Sequence, residues 1–123
     1  MGQAKENLGN IVDKMNTILK AQEVFMTNIA GKDVDWEKSF QFNLDKEKPF
    51  FLDIKDRKGT IGDGIKSDVD IVMSGNPSAI VRICEGKGDF THAISREQIT
   101  VEKGKVMDVI RLTRAITIVL KTK

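Results

Sequence analysis

Two stretches of strict alternation in the middle of the chain restrict its fold more than any other feature. Apolar residues occupy every second position of both stretches: Phe40, Phe42, Leu44, Phe50, Leu52 and Ile54. A period of two places these side chains on one face of a β-strand. With a short turn at residues 45–49 between the stretches, residues 38–55 are predicted to form an antiparallel hairpin.

Three further strands and two helices are predicted after this hairpin. The strands lie at residues 60–62, at Val69, Ile71 and Met73, and at residues 98–102, the first of them following a turn at Lys58-Gly59. Asn76-Pro77 indicates a helix start, because asparagine caps free N–H groups and proline is tolerated at the first position. This helix buries Ile80 and Ile83, and a second short helix covers residues 90–94. The chain is therefore predicted to be an α+β protein with a five-stranded sheet.

A long amphipathic helix is predicted near the N-terminus, from about residue 5 to 30. Apolar residues recur there with the spacing of one helical face, from Leu8 to Ile29. Gly31 is expected to end the helix, because glycine readily takes the left-handed conformation. The polar residues 32–37 then form a connection, with Trp36 anchored on the core.

The last segment, residues 105–121, is more apolar than one packed helix face requires. Its apolar residues cover about half of the helix circumference, and Met107 and Ile118 lie outside even that arc. A helix on a single sheet needs an apolar arc of only about 100°. Something else is expected to bury the surplus. Because residues 115–120 are rich in β-branched side chains, an edge strand remains the alternative to helix there.

Length and charge limit the class of protein. The chain has 123 residues, 40% of them hydrophobic and 31% charged, which is typical of one domain spanning residues 1–123. Basic and acidic residues are interleaved and leave a net charge of only +2, so no nucleic-acid partner is expected. No window is apolar enough to span a membrane, and the first residues carry no signal core. We expect a cytoplasmic protein with at most transient contact with membrane surfaces.

Side chains that carry catalysis are sparse. His92 is the one histidine, there is no tyrosine, and the lone Cys84 is expected to be buried and inert. The glycines of residues 59–64 match neither nucleotide-binding pattern and are interpreted as turn glycines. The acid pairs at positions 33/35 and 68/70 are interpreted as solvent-facing. We therefore expect no enzymatic activity, no metal and no cofactor.

Three motifs, taken in order, resemble the sterol carrier protein 2 (SCP-2) family. They are Phe50-Phe51-Leu52-Asp53-Ile54-Lys55-Asp56, Lys58-Gly59-Thr60-Ile61 and Ser67-Asp68-Val69-Asp70-Ile71-Val72-Met73-Ser74. A helix and the pair Gly86-Lys87 follow them, and the similarity spans about residues 36–115. The order of the motifs carries the resemblance.

The resemblance implies a mostly antiparallel sheet covered by helices, with a hydrophobic tunnel that holds a fatty acyl chain, a sterol or a similar apolar ligand. It implies binding or transfer of that lipid without catalysis. By position, the tunnel lining consists of Phe51, Ile71, Met73, Ile80, Ile83, Phe90, Ile94, Met107 and Ile110. The C-terminal helix would be a movable cover. The charged residues 102–105 either obstruct ligand access at that end or hold an anionic head group near Lys103 and Lys105.

An alternative function remains open at this point. The apolar surplus also fits a protein-interaction module or a homodimer that uses an apolar groove. Several elements contribute to the surplus, because Phe51 and Val72 point away from the main apolar faces of their own strands. Ordinary core packing accounts for about half of these residues.

Overall fold

A computed structural model describes residues 2–122 of the chain. Its elements are α1 (Gln3–Met15), α2 (Leu19–Glu23), β1 (Met26–Ile29), β2 (Lys32–Asp35), β3 (Lys38–Leu44), β4 (Phe50–Lys55), β5 (Lys58–Asp63), β6 (Ile71–Gly75), α3 (Pro77–Cys84), α4 (Phe90–Ser95), β7 (Ile99–Lys103) and α5 (Val106–Lys121).

The main sheet has five strands in the order β5-β4-β3-β6-β7. Neighbouring strands are antiparallel except β3 and β6, which are parallel, so the predicted α+β fold with a five-stranded, mostly antiparallel sheet is confirmed. Phe40 lies opposite both Leu52 and Ile71 in the register, which places these side chains on one face. They belong to a continuous apolar cluster with the buried residues of all five helices. This cluster is the core, and the helices cover that face of the sheet.

The opposite face of the sheet is partly covered by the chain that leads from β5 to β6. Gln41 lies on this face, where its amide nitrogen donates to the carbonyl oxygens of Phe50 and Gly64 at 3.1 Å each. Its amide oxygen accepts a hydrogen bond from the Lys66 backbone N–H at 2.9 Å. The Lys66 ammonium donates to both carboxylate oxygens of Asp53 at 2.7 Å. These bonds fix residues 64–66 across the sheet.

The predicted helix at residues 5–30 is wrong beyond Met15. The Asn16 side-chain amide donates to the carbonyl oxygen of Gly59 at 2.9 Å and accepts from the Gly59 N–H at 2.8 Å. This pair of bonds fixes the chain to β5, an edge strand of the sheet, directly after α1. The short helix α2 follows, and the remaining residues form the hairpin of β1 and β2.

Gly31 is a turn residue of that hairpin and does not terminate a helix. Ala30 and Gly31 both have positive φ, 52° and 83°, as the two-residue turns favoured in hairpins require. The predicted polar connection at residues 32–37 accordingly contains β2. Trp36 packs against the core, as predicted, with its ring stacked on Phe25 at 5.8 Å between centroids.

The rest of the chain follows the sequence prediction closely. Asn76 caps α3, because its side-chain oxygen accepts from the Ser78 N–H at 2.9 Å. The helix α5 continues to Lys121, so residues 115–120 are helical and do not form an edge strand. One turn was placed wrongly: Lys58 and Gly59 already belong to β5, and the turn lies at Asp56 and Arg57, both with positive φ.

Candidate ligand-binding site

Five of the nine residues predicted to line a tunnel lie together in the core. Ile71 and Met73 of β6, Ile80 and Ile83 of α3, and Phe90 of α4 are all buried in the same apolar cluster. Ile94, one turn after Phe90, is partly buried against that cluster. Across residues 2–122 the structure shows these side chains as core and does not show a tunnel among them. The tunnel stays a prediction.

The other three predicted lining residues lie outside this cluster. Phe51 is opposite Gln41 in the register and therefore points to the other face of the sheet, where the Lys66 ammonium lies 5.6 Å from its ring centroid. Met107 is 78% exposed and Ile110 37% exposed on α5. If a space opened between the sheet and the helices, Phe51 would not line it. Met107 and Ile110 would lie at the outer end of that space.

The helix α5 exposes apolar side chains at its start and buries them along the rest of its length. Its buried residues are Val109, Leu112, Thr113, Ala115, Ile116 and Val119, whereas the exposed apolar residues Val106, Met107 and Ile110 all belong to its first five positions. Arg111 marks the boundary, because its guanidinium donates to the carbonyl oxygens of Val24 at 2.7 Å and Met26 at 3.2 Å. The guanidinium carbon also lies 5.1 Å from the Trp36 ring centroid. The helix is thus fixed at its middle and more loosely packed at its start.

A depression of about 340 Å³ lies beside the start of α5. Its lining residues are Trp36, Lys38, Asp70, Gly104, Lys105 and Asp108. Lys105 faces this depression, but the Lys103 ammonium donates to the Val69 carbonyl oxygen at 2.8 Å. Of the two lysines expected near a head group, only Lys105 is available at this end. We call this the α5 depression.

A larger groove, of about 630 Å³, lies elsewhere, between α1 and β5. Its lining includes the charged side chains of Lys5, Glu6 and Asp13, and a salt bridge joins Lys5 to Asp63 beside it. Charged walls do not suit an apolar ligand. The buried cluster and the start of α5 therefore define the candidate site.

One polar residue of the candidate site escaped prediction. Thr113 is 9% exposed on the inner side of α5, and its hydroxyl oxygen has no hydrogen-bond partner in the part of the chain that is described. The signal in the sequence is a threonine within the broad apolar arc of residues 105–121. Its significance depends on burial and pairing, which periodicity does not reveal.

Cys84 and His92, the cysteine and the histidine of the chain, lie in different surroundings. Burial raises the pKa of the Cys84 thiol to about 12, with a smaller contribution from the charge of Glu85, so the reactive thiolate is scarce at neutral pH. His92 is exposed, and its Nδ1 lies 3.1 Å from the Asp89 carboxylate.

Three exposed acids, Asp35, Glu37 and Asp56, lie within 4.8 Å of one another. Their interactions with the protein are structural: Asp35 pairs with Arg57, and Glu37 accepts from the Asp56 backbone N–H. These contacts hold the root of the hairpin β1–β2 against the turn between β4 and β5.

These features define an α+β domain in which helices cover one face of a mixed five-stranded sheet and enclose a strongly apolar core. The SCP-2 sterol transfer family matches residues 15–116, which is most of the chain. The chain therefore belongs to the SCP-2 family, and the resemblance found in its motifs is confirmed. The family is named for sterol transfer. No curated protein matches the chain.

Solved structures agree on the fold. The crystal structure of sterol carrier protein 2 has a TM-score of 0.64 at 13% identity, covering 99% of this chain and 96% of that one. The solution structure of palmitated SCP2L2 from Aedes aegypti has a TM-score of 0.54 at 17% identity, covering 65% of this chain and 72% of that one.

A larger protein contains the same fold as one part. The sec-alkylsulfatase Pisa1 from Pseudomonas sp. has a TM-score of 0.55 at 13% identity over 66% of this chain, which spans 12% of the enzyme. At these identities the solved structures show the fold alone. Among the described residues, no helix is both long enough and apolar enough to cross a membrane.

Proposed function

We propose that this protein binds a lipid-like ligand without covalent chemistry, in a space between the sheet and its helices, and that the start of α5 is the cover of this space. The observation that carries the proposal is the division of α5. Its inner stripe is buried, whereas Met107 and Ile110, within the first five residues of the helix, expose apolar surface. An apolar ligand that lifts this end would be met by apolar side chains from both sides.

The wall of this space is proposed to come from β6, α3 and α4. Its residues would be Ile71, Met73, Ile80, Ile83, Phe90 and Ile94, with Met107 and Ile110 at the opening. No cofactor is needed, because removal of apolar surface from water is itself the driving force. At about 0.8 kcal/mol per methylene, a long acyl chain gains roughly 10 kcal/mol before the costs of immobilisation. Micromolar or tighter binding would follow.

The Aedes aegypti relative, described as palmitated, supports an acyl chain as one ligand of this fold. The membership in a sterol transfer family supports a sterol as another. Both are apolar bodies of similar length, and an apolar wall selects mainly by length and bulk.

Native mass spectrometry of the purified protein, followed by solvent extraction, tests the proposal. We expect a lipid in stoichiometric amount. The decisive comparison is Met107→Arg against Ile65→Arg, because Met107 is 78% and Ile65 76% exposed, so neither change disturbs the core. Ile65 lies on the chain between β5 and β6, on the other side of the sheet from the core.

The two variants should differ in lipid content and in the rate of lipid uptake. Met107→Arg places a cation at the proposed opening and should lower both several-fold, whereas Ile65→Arg should match the wild type. Equal lipid content and equal uptake in both variants would contradict a cover at the start of α5. A protein that carries no lipid and binds neither added palmitate nor added sterol would contradict the function itself.

A homodimer is the second candidate function, and the hairpin β1–β2 favours it. Ile29 and Val34 share one face of this hairpin with Thr27 and Lys32, and both apolar side chains are exposed. In addition, within residues 2–122, β1 and β2 pair only with each other, so each strand has an unpaired edge that can serve as a template for a second chain. A dimer in analytical ultracentrifugation that lacks lipid and dissociates in Ile29→Lys would favour this candidate over lipid binding.

A further inference from the structure

Thr113 differs from the other polar group in the core. Gln41 and Thr113 are the two buried polar residues in the described part of the chain. Gln41 has hydrogen-bond partners at both ends of its amide. The Thr113 hydroxyl has none, although a buried hydroxyl without a partner is destabilising and uncommon in native proteins.

Local geometry does not explain the missing bond. A threonine in a helix can donate to the carbonyl oxygen four residues earlier, and Thr122, which directly follows α5, does so to Ile118 at 2.8 Å. The corresponding partner of Thr113 would be the Val109 carbonyl oxygen, and this bond is not formed. The hydroxyl is therefore available on the buried side of α5, one turn after the buried Val109.

We propose that Thr113 is the polar anchor of the bound lipid and selects an uncharged ligand with a hydroxyl group. The inference rests on the proposed function, since it requires the ligand to lie against the inner side of α5. A hydroxyl both donates and accepts, so an alcohol can form a hydrogen bond with Thr113 in either direction. A carboxylate or a phosphate would lose its hydration beside a single neutral partner, which is costly. Charged heads would instead stay at the α5 depression beside Lys105.

The test compares two probes of equal chain length, hexadecan-1-ol and hexadecane, each offered to the protein from a cyclodextrin complex. Bound lipid is extracted and quantified for the wild type, Thr113→Val, Thr113→Ser and Thr117→Val. The wild type should prefer the alcohol about tenfold, the effect of one net hydrogen bond. Thr113→Val should lose this preference while it binds hexadecane as well as the wild type does. Thr113→Ser and the helix control Thr117→Val should keep it.

Two results would overturn the inference. The first is a Thr113→Val variant that keeps the tenfold preference, and the second is a wild type that binds both probes equally well. If Thr113→Val does not fold, the pair Thr113→Ala and Thr113→Ser gives the same comparison. A wild type that binds neither probe contradicts the proposed function itself, which separates that failure from binding without selectivity.

Discussion

Replacing Thr113 by valine should stabilise the protein in the absence of ligand. Both residues are β-branched and nearly equal in volume and helix propensity, so the change is essentially one hydroxyl for one methyl group. In most buried positions this substitution breaks a hydrogen bond and destabilises. At Thr113 there is no bond to break, because the hydroxyl has no partner in the described chain.

The magnitude follows from two contributions. An unpaired buried hydroxyl is unfavourable by about 1–3 kcal/mol, and a buried methyl group adds about 0.8 kcal/mol of stability. The hydroxyl oxygen itself is buried, so its penalty is not relieved by water, and we expect a net gain of at least about 1 kcal/mol. At roughly 2.1 cal/mol/K of unfolding entropy per residue, a chain of 123 residues would melt about 4 °C higher.

Calorimetry and urea denaturation of ligand-free protein measure this gain, with Thr122→Val as the matched control. Thr122 is exposed and loses its 2.8 Å bond to Ile118, so its variant should be neutral or slightly less stable. If Thr113→Val instead melts clearly below the wild type, the hydroxyl is already paired in the free protein. A hydroxyl that is already paired would not be free to anchor a ligand.

Three further predictions test the fold. Gly75→Ala should destabilise by about 3 kcal/mol or more, because its Cβ would lie 2.2 Å from a backbone oxygen at φ 138°, whereas Gly64→Ala, with open space, should cost only about 1 kcal/mol in urea denaturation. Burial would raise the pKa of Asp53, but hydrogen bonds from Lys66 and Ser39 outweigh it and lower the pKa. The stability from this carboxylate is complete above about pH 4 and is lost as the pH falls through the lowered pKa, so Asp53→Asn should flatten the acid limb of a pH–stability curve. Cys84 should react with iodoacetamide at pH 8 at least about 100-fold faster in urea than in the native protein, since its thiol is buried.

The sheet could be predicted because its signals are local. Alternation at residues 40–54 defines which side chains share a face without knowledge of any other element. The cap at Asn76 depends on only two neighbouring residues. The position of the turn before β5 was missed by two residues, because Asp56 and Arg57 adopt positive φ although neither is a glycine.

The N-terminal region could not be predicted in the same way, because its apolar spacing fits two structures. Residues such as Ile18 and Phe25 continue the helical pattern of α1, but they pack on the core from the positions directly before α2 and directly before β1. The bond pair between Asn16 and Gly59 that ends α1 joins residues 43 positions apart. A contact of that separation has no signature in the local pattern.

In the candidate site, Phe51 is the residue for which the strand pattern and the family resemblance predict opposite faces of the sheet. The alternation of its strand placed Phe51 away from the core, whereas the family resemblance placed it in the tunnel lining. The register opposite Gln41 agrees with the alternation. A position assigned from a family pattern can be off by one residue. In a strand, an error of one residue moves the side chain to the opposite face of the sheet.

The division of α5 also bears on how a closed core could admit a ligand. Of its first five residues, only Val109 is fully buried, so on lifting this part the helix itself newly exposes little more than one valine and part of Ile110. At about 1.5–3 kcal/mol for that exposure, the open form would be populated at roughly 1–10%. Beyond this point the bonds of Arg111 and the buried Leu112 oppose further opening. On the proposed function, the cover therefore opens at the α5 depression and nowhere further along the helix, and it reduces the apparent affinity by no more than about a hundredfold.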